Sequence, residues 1–425
     1  MTIPDPFDVD VVVIGAGFTG LTAATELRRH GVSFVVVEAR DRVGGKTESR
    51  LDPAGRLVDT GGQFANHDMT EVLALAASAG STVVYSDHPG SPVTVPTGLD
   101  HEPWAVAEAQ LATLCADHLD DSRSAMEWAA DSNMPHPAME AFRSAVDGST
   151  CLDSHRVPVS YLAQLNMRSP STHPELQLWF SESMHSLALH LAAGLGPHVR
   201  LASPVRGVHL HDESADVVAA DQVWHAREVV VAVPPSGYPG LGFAPGLPDD
   251  VAQAAAAFSP GTVLKYVLGY EAPFWTHDGR NGIGQFLSPP GLYFTDASLP
   301  GAATLVGFVG GTTAREWSRH SERQRHEAIT YHAATAFGPA ALEPLTVIER
   351  LWAPDEWGGG GYSNVLATHA PHAADVLAIG MPLVTFASTE LSLRFPGYVE
   401  GAITAGKAAA YNVLRRLGRA PLAKH

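Results

Sequence analysis

The chain has 425 residues, 45% of them apolar and 17% charged, which is enough for a large core and predicts two domains rather than one. Its formal net charge of −18 disfavours nucleic acid and anionic membrane surfaces as partners and is compatible with cationic substrates. Two cysteines in unrelated contexts, Cys115 and Cys151, exclude a disulfide framework, and an acidic N-terminus without a signal peptide or membrane-spanning run predicts a cytoplasmic protein.

A glycine-rich turn between an apolar strand and a helix stands at the start of the chain. The pattern predicts a strand at Val11–Ile14, buried on both faces, and a helix from Leu21 to His30. Between them, Gly15 allows a tight turn, Gly17 lets the backbone approach a pyrophosphate, and Gly20 lets the helix pack on the strand.

A second strand, Phe34–Val37, brings Glu38 to the distance at which an acid binds ribose hydroxyls. This order of strand, glycine turn, helix, strand and acid predicts a dinucleotide-binding site, for either NAD or FAD.

The residues after Glu38 narrow the choice of cofactor. The run EARDRVGGK supplies a cation, a glycine pair and a second cation: Arg42, Gly44, Gly45 and Lys46. It resembles the corresponding segment of the flavin monoamine oxidase family, which runs along the FAD pyrophosphate and usually has arginine where Lys46 stands. The resemblance implies FAD.

Next, the pattern predicts a strand at Leu57–Phe64 with a turn at Gly61 and Gly62, and a helix at Met69–Ala79. The family has a similar glycine-pair step under the flavin, which implies that Gly62 and Gln63 contact the cofactor. After a Gly-, Pro- and Ser-rich stretch, residues 104–183 are predicted to be largely helical.

The chain then returns to the first domain. A helix is predicted at Met184–Leu195, followed by strands within Val199–Val208, Val217–Ala219 and Glu228–Val233. The resemblance implies that the backbone of Val205 brackets the adenine ring, although an ordinary sheet valine is the alternative.

Lys265 is unusual because its neighbours are apolar. The strand predicted at Gly261–Tyr270 puts Lys265 on one face with Val263 and Val267, and a buried ammonium is costly unless it is paired. An edge-strand lysine that reaches solvent is the alternative. The run VLKYVLGYEAPFW resembles the family's lysine strand, which implies that Lys265 bonds through a water to flavin N5.

Strands at Gly291–Asp296 and Thr304–Phe308 and a helix at Arg315–Phe337 are predicted to complete the second domain. Tyr293 and Trp352 are weak candidates for the wall of the substrate cavity.

The C-terminal part carries the rest of the resemblance. A strand at Pro382–Ala387 and a helix at Gly397–Leu414 are predicted, and STELSLRFPGYVEGA is similar to the family's FAGE...GYVEGA signature, with Ser388 at the usual glycine. The resemblance implies cofactor contacts by Thr389, Glu390, Tyr398 and Val399. The tail looks most like that of bacterial 6-hydroxy-L-nicotine oxidases.

Two aromatic residues of the family's substrate cage also have counterparts here. The resemblance implies that Tyr362 and Tyr398 form the walls beside the substrate amine. Covalently flavinylated members have a cysteine directly before the first cage tyrosine, and because this chain has Gly361 there, we predict non-covalent FAD.

We therefore predict an α/β fold with a discontinuous, GR2-like Rossmann-type FAD-binding domain and an inserted, mixed α+β substrate domain. The FAD-binding domain is predicted at residues 1–80, 184–262 and 378–425, and the substrate domain at residues 81–183 and 263–377.

The resemblance implies an FAD-dependent amine oxidase. It would transfer hydride from the carbon next to an amine nitrogen to flavin N5, release an imine for hydrolysis, and be reoxidised by O2 with formation of hydrogen peroxide. An L-amino-acid oxidase, with Arg168 or Arg280 for the carboxylate, or a related flavin desaturase is the alternative, and a non-catalytic FAD-binding scaffold is the third.

The predicted partners are a small amine and O2, and a homodimer is left open. The 21 histidines show no metal-ligand spacing, so no metal is predicted.

Overall fold

The computed structural model describes residues 8–86, 89–99, 101–220 and 222–419. Residues 1–7, which belong to the segment predicted to lack a signal peptide, lie outside this part. The described residues form twenty strands, β1–β20: Val9–Ile14, Phe34–Val37, Ser49–Leu51, Leu57–Asp59, Val83–Tyr85, Ser91–Val95, Leu178–Phe180, Val199–Arg200, Val205–Leu210, Ala215–Ala219, Gln222–Val231, Phe243–Ala244, Phe258–Pro260, Val263–Tyr270, Arg280–Phe286, Leu292–Asp296, Ala303–Gly310, Thr346–Leu351, Asn364–Leu366 and Val384–Phe386.

The same residues form twelve α-helices, α1–α12: Phe18–Arg29, Thr70–Ala79, Glu102–Ala112, Ala125–Ala130, His136–Thr150, Val159–Arg168, Met184–Leu195, Asp249–Ala256, Gly311–Trp317, Glu322–Phe337, Ala373–Ile379 and Val399–Arg416. Short 3₁₀ helices lie at Ala116–His118, Gly196–His198, Pro235–Leu241, Phe274–Thr276, Pro339–Leu342 and Thr389–Leu391. In the described ranges, the helices are too short or too polar to cross a membrane.

The first sheet contains the N-terminal strand. Its order is β12-β9-β10-β11-β1-β2-β8, with β20 also paired to β11. Strand β1 is parallel to both β2 and β11. Val12 and Ile14 enter one core while Val11 and Val13 enter another, so the predicted strand buried on both faces is confirmed.

Helices α1 and α12 pack closely together beside this sheet. A Cβ atom on Gly406 of α12 would lie 2.4 Å from the carbonyl oxygen of Thr19 in the first turn of α1. Ala405, Ala409 and Val413 of α12 are buried. The C-terminal helix therefore supports the glycine turn at the start of the chain.

The second sheet has the order β18-β14-β17-β16-β15-β6. Its strand β14 lies between the antiparallel strands β17 and β18. Leu264, Tyr266 and Leu268 enter one core together with residues of α9 and α10, whereas Lys265 alternates with them and faces the other side. The mixed α/β architecture predicted from the sequence is confirmed. The strands of the two sheets come from the predicted domain segments, but the exact domain limits stay predictions.

One predicted helix is in fact two. The prediction of a single helix from Arg315 to Phe337 is wrong, because α9 ends at Trp317 and α10 begins at Glu322. Ser321 caps α10: its Oγ accepts a hydrogen bond from the Gln324 N–H (3.4 Å), and Gln324 Oε1 accepts one from the Ser321 N–H (2.9 Å). This capping box satisfies N–H groups that a continuous helix would have bonded internally.

Three other elements begin or end at residues different from those predicted from the sequence. Helix α1 begins at Phe18, so Gly20 lies in its first turn. Strand β4 ends at Asp59, because the N–H groups of Gly61 and Gly62 bond to the loop at residues 46–48 instead of a neighbouring strand. Helix α12 begins at Val399, after Gly397 with a left-handed φ of +91°, a conformation that glycine adopts easily.

Candidate active site

A cavity of about 1240 Å³ is lined by residues from both sheets. This volume exceeds the roughly 300–1,000 Å³ of most small-molecule sites, so it has room for a dinucleotide together with a substrate. Most of the predicted site residues line it: Gly15, Gly17, Glu38, Gly44, Gly45, Lys46, Gly62, Gln63, Val205, Lys265, Tyr293, Trp352, Tyr362, Thr389, Glu390, Tyr398 and Val399. Gly20 and Arg42 do not.

The glycine turn is fixed by close backbone contacts. Gly15 has φ +102°, and a Cβ atom there would lie 2.8 Å from the carbonyl oxygen of Ala232. A Cβ atom on Gly20 would lie 1.9 Å from the carbonyl oxygen of Gly15, which agrees with the packing role predicted for Gly20. The carboxylate of Glu38 accepts hydrogen bonds from the N–H groups of Ala16 (2.7 Å) and Arg40 (2.9 Å). Glu38 therefore holds the turn while it also lines the cavity.

Lys46 is an ammonium in the cavity wall without a hydrogen-bond partner among the described residues. Its Nζ is buried, and Glu390 Oε2 is also buried without a partner in the described part of the chain. Burial lowers the pKa of Lys46, and the nearby charge of Glu390 opposes this only in part. A buried cation without a partner is unstable, so an anionic ligand would stabilise it. The pyrophosphate of FAD is such an anion, and the residues present fit the predicted cofactor.

Arg42 has a different environment from the one the sequence suggested. Its guanidinium donates hydrogen bonds to Glu48 Oε2 (3.0 Å) and to the carbonyl oxygens of Val43 (3.1 Å) and Thr47 (3.0 Å). Arg42 therefore stabilises the loop around the glycine pair but does not itself line the cavity. This position favours an indirect role rather than the direct cofactor contact predicted for Arg42.

Charged side chains join this loop to the second sheet. Arg40 and Arg350 both pair with Asp355, the latter through Nη2 at 2.7 Å. Arg350, on β18, also lies 3.3 Å from Glu48 through its Nε. These pairs connect the loop after β2 with the segment after β18.

Lys265 is held by the loop that follows β4. Its Nζ donates hydrogen bonds to the carbonyl oxygen of Gly61 and to Gln63 Oε1, each at 2.8 Å. The side chain is 3% exposed on an inner strand, so the alternative of a solvent-reaching edge lysine is wrong. Burial lowers the pKa of Lys265, and the charge of Asp59 opposes this shift. Burial likewise raises the pKa of Asp59.

The two predicted cage tyrosines line the same cavity. The rings of Tyr362 and Phe308 have centroids 5.8 Å apart at an interplanar angle of 79°. Enclosure by the cavity walls raises the pKa of both Tyr362 and Tyr398 well above the ordinary value, even though Tyr362 presents 39% of its surface to the cavity opening. Both are neutral phenols. The hydroxyl of Tyr398 donates a hydrogen bond to Glu175 Oε1 at 2.6 Å.

The backbone beside the cavity is held by hydrogen bonds of Thr389 and Trp352 and is extended at Ser388. Thr389 Oγ1 donates to the carbonyl oxygen of Tyr398 (2.7 Å) and accepts from the N–H of Gly397 (2.9 Å), which fixes the start of α12. Ser388 has φ −156°, an extended conformation open to any residue, so its backbone does not require the family's glycine. Trp352 Nε1 donates to the carbonyl oxygen of Thr60 at 3.1 Å.

Sequence reasoning missed three acidic residues. Asp59 approaches Lys265, and Glu175 and Glu108 line the cavity. Glu108 had a usable signal, because Trp104, Glu108 and Leu111 share one face of α3 and all line the cavity. Glu175 lies in a loop without periodicity and offered none.

The histidines are numerous, but His185, which lies beside the glycine-pair loop, has ordinary hydrogen-bond partners. His185 contacts Ser49 Oγ and the carbonyl oxygen of Val43 through its two ring nitrogens, each at 3.1 Å. Glu322, His326 and Glu349 lie close enough to share an ion, but Glu349 pairs with Arg325. The absence of a metal stays a prediction.

Comparisons with known proteins extend over nearly the whole chain. The model of a family described as flavin containing amine oxidoreductase matches residues 18–414. An L-amino acid dehydrogenase of Synechocystis sp. is 26% identical, over 95% of this chain and 94% of that protein. Flavin-containing amine oxidase B of Homo sapiens is 27% identical, over 97% of this chain and 87% of that protein.

Among solved structures, cyclohexylamine oxidase from Brevibacterium oxydans IH-35A superposes with a TM-score of 0.89. It is 26% identical and covers 97% of this chain and 100% of its own. The resemblance of the tail to 6-hydroxy-L-nicotine oxidases is not among these findings and stays a prediction.

Lys46→Met should have opposite effects on the empty and the FAD-bound protein. Without FAD, it removes a buried unpaired cation, so the melting temperature of the apoprotein should stay equal or rise. With FAD, affinity should fall about 10–150-fold, the equivalent of a charged hydrogen bond worth roughly 1.5–3 kcal/mol. Fluorescence titration of the apoprotein measures this. Lys407→Met, which removes a surface partner of Glu71, is the control, and unchanged FAD affinity in Lys46→Met would contradict the assignment.

Proposed function

The chain belongs to the family of flavin-containing amine oxidoreductases, and we propose that it is an FAD-dependent oxidase of small cationic amines. The observation that carries the proposal is one cavity that joins the glycine turn to Lys265, Tyr362 and Tyr398. A protein that only bound FAD would have no use for the last three.

The glycine-turn end of the cavity would hold the cofactor. Gly15, Gly17 and Glu38 would face its adenosine part, as would the backbone of Val205, while Lys46 would pair with its phosphates. Thr389 and Glu390 would approach from the 3₁₀ helix at Thr389–Leu391, and Tyr398 and Val399 from the start of α12. The N-terminal N–H groups of α12 favour negative charge. When bound, the flavin supplies the hydride acceptor and the reaction with O2 that yields hydrogen peroxide.

Tyr362 and Tyr398 would position the substrate. As neutral phenols, they attract a cationic amine to their ring faces by roughly 0.5–2 kcal/mol. A substrate held between two aromatic walls has few orientations, so the carbon next to the nitrogen can be presented for hydride removal. The imine product then hydrolyses in water.

Lys265 would hold a water molecule in the cavity. An ammonium has three N–H donors, and Gly61 and Gln63 accept two of them. The third is free to bind a water, and the charge beside it would assist the reaction with O2.

The cations of the cavity favour an amine over an α-amino acid. Arg168 pairs with Asp375 at 3.5 Å, and neither it nor Arg280 lines the cavity. The lysines and arginines that line it, among the described residues, are Arg40, Lys46, Arg206 and Lys265. The first three adjoin the proposed cofactor end, and Lys265 is already bonded, so a substrate carboxylate has no arginine partner. This outweighs the similarity to an L-amino acid dehydrogenase.

Three finer points belong to the same proposal. FAD is bound without a covalent link, the acceptor is O2, and the enzyme acts in the cytoplasm as a monomer or homodimer. Supporting the first point, a Cβ atom at Gly361 would lie 2.8 Å from Val263 Cγ1, and burial raises the pKa of Cys151 to about 12, which leaves this thiol unreactive.

Anaerobic mixing with paired compounds tests the reaction. Amines such as 2-phenylethylamine should bleach the flavin absorbance, and the corresponding α-amino acid, phenylalanine, should not, because its carboxylate finds no cationic partner. Rates of bleaching in a stopped-flow instrument give the measurement. If only α-carboxylated compounds bleached the flavin, the proposed amine oxidase function would be contradicted.

Acid precipitation tests the mode of FAD attachment. The yellow colour should pass completely into the supernatant, because neither cysteine is placed to form a link. Absorbance of pellet and supernatant at the flavin maximum measures the partition, and flavin retained by the pellet would refute non-covalent binding.

Lys265→Met should slow reoxidation of the reduced enzyme by O2, on the order of 10²-fold, the usual effect of removing one positioned donor. Stopped-flow measurements of anaerobic reduction and of reoxidation separate the two steps, with Lys407→Met as the control. If both rates were unchanged, the role given to Lys265 would be wrong.

A further inference from the structure

Gln285 is a buried amide in the cavity wall that the proposed reaction does not use. It lies on β15, is 8% exposed, and lines the cavity together with Asn281 and Ile283 of the same strand. Its Oε1 is buried and has no hydrogen-bond partner among the described residues. Asn281 differs, because its Oδ1 accepts a hydrogen bond from the N–H of Ile283 at 3.1 Å. Of the described residues of the second sheet that line the cavity, Gln285 alone has a buried polar atom without a partner.

The register of the second sheet places Gln285 in one row with Lys265. Lys265 on β14 pairs with Phe308 on β17, and Phe308 pairs with Tyr293 on β16. Tyr293 in turn pairs with Gln285 on β15. Paired residues of neighbouring strands have their side chains on the same face of a sheet, and all four of these line the cavity. The backbones at Lys265 and Gln285 are therefore three strand spacings apart, about 14 Å.

The cage residue Tyr362 packs against the lysine end of this row. Its ring meets that of Phe308 edge to face, with centroids 5.8 Å apart, and the ammonium of Lys265 is 5.6 Å from the centroid of the Phe308 ring. Tyr293 lies between Phe308 and Gln285 in the row, so the floor of the cavity from the cage to the amide is aromatic. An amine held at Tyr362 would have its chain on these two rings, and the backbone at Gln285 is two strand spacings from that at Phe308, roughly 10 Å.

The unpartnered acceptor of Gln285 indicates the kind of group that would bind there. A buried carbonyl oxygen without a partner is destabilising, because it has lost its hydrogen bond to water. A ligand can supply the missing donor. Since an amide is neutral, it does not offset the charge of a buried ion, so a neutral donor fits it best. A hydroxyl group meets this requirement, because its O–H can donate to Oε1.

Thr94 is the neighbour of Gln285 on the opposite side of the row. It pairs with Gln285 across β6 and β15, and its Oγ1 is likewise buried without a partner in the described part of the chain. The two side chains share a face of the sheet, yet no hydrogen bond joins them, and Thr94 does not line the cavity. The amide of Gln285 is therefore available to a ligand.

We propose that Gln285 binds a neutral hydroxyl group at the far end of the substrate. The preferred substrates would then be amines with a hydroxyl two strand spacings, roughly 10 Å, from the reacting carbon. The inference rests on the proposed amine oxidase function and specifies its substrate class. Gln285 determines specificity and takes no part in hydride transfer, and the aromatic floor favours an apolar chain between the two polar ends.

Two amines of equal length test this with the holoenzyme. 6-Amino-1-hexanol has a terminal hydroxyl, and 1-aminoheptane has a methyl group in its place. For the wild type, kcat/KM should be about 3–10-fold higher with the alcohol, mainly through KM, which is the range of one neutral hydrogen bond. The shorter pair of 3-amino-1-propanol and 1-aminobutane should show no such preference, because its hydroxyl cannot reach Gln285.

Three variants make the test specific. Gln285→Met keeps the length of the side chain but removes the acceptor, so kcat/KM should fall about 3–10-fold for 6-amino-1-hexanol and stay equal or rise for 1-aminoheptane. Gln253→Met makes the same change at an exposed residue of α8 outside the cavity and should leave both values unchanged. Thr94→Val removes the other unpartnered oxygen and should leave the preference for the alcohol within about twofold of the wild type.

The other outcomes separate the inference from the function on which it rests. A wild type that prefers 1-aminoheptane would overturn the inference even if a variant failed to fold, and so would a wild-type preference kept by Gln285→Met. Equal loss of the preference in Thr94→Val and Gln285→Met would assign the amide to the pairing of β6 with β15 and overturn the inference too. If no amine of any kind reduced the flavin, the proposed function itself would fail, a result distinct from two amines that both react without preference.

Discussion

The site depends on how one buried ammonium is satisfied. Lys265 lies on an inner strand of the second sheet, yet its two acceptors, Gly61 and Gln63, belong to the loop that follows β4. An unsatisfied ammonium at this depth would cost several kcal/mol, so the loop has to meet β14 in this arrangement. Two ion pairs, Arg40 with Asp355 and Arg350 with Glu48, also join the loop after β2 to the segment around β18. The cavity is the space left between parts held together by these charges.

One cation that lines the cavity is left without a hydrogen-bond partner by the described residues. This is Lys46, directly after the glycine pair, and its ammonium is buried. A negatively charged cofactor would be stabilised beside it. The orientation of the cofactor would therefore follow from electrostatics as well as from shape.

Features set by local sequence were predictable, and those set by distant contacts were not. The glycine turn and the alternation around Lys265 follow from spacing over a few residues, and the structure agrees, whereas the contact of Glu38 with a ribose stays a prediction. Arg42 looked like a cofactor ligand because it adjoins the glycine pair, but Glu48, six residues later, binds its guanidinium. The contact between Glu175 and Tyr398 spans 223 residues, and a loop without periodicity gives no sign of it.

The interleaved chain also bears on how the protein matures in the cell. Strand β1 acquires its partner β11 only after about half of the chain has been made, and the N–H of Val72 bonds to Glu400, 328 residues later. Such non-local pairing makes folding slow and leaves apolar faces exposed to aggregation during synthesis. A cofactor that binds only the completed form draws the equilibrium towards it. Flavin supply during expression would therefore favour the folded chain over unfolded and aggregated chain.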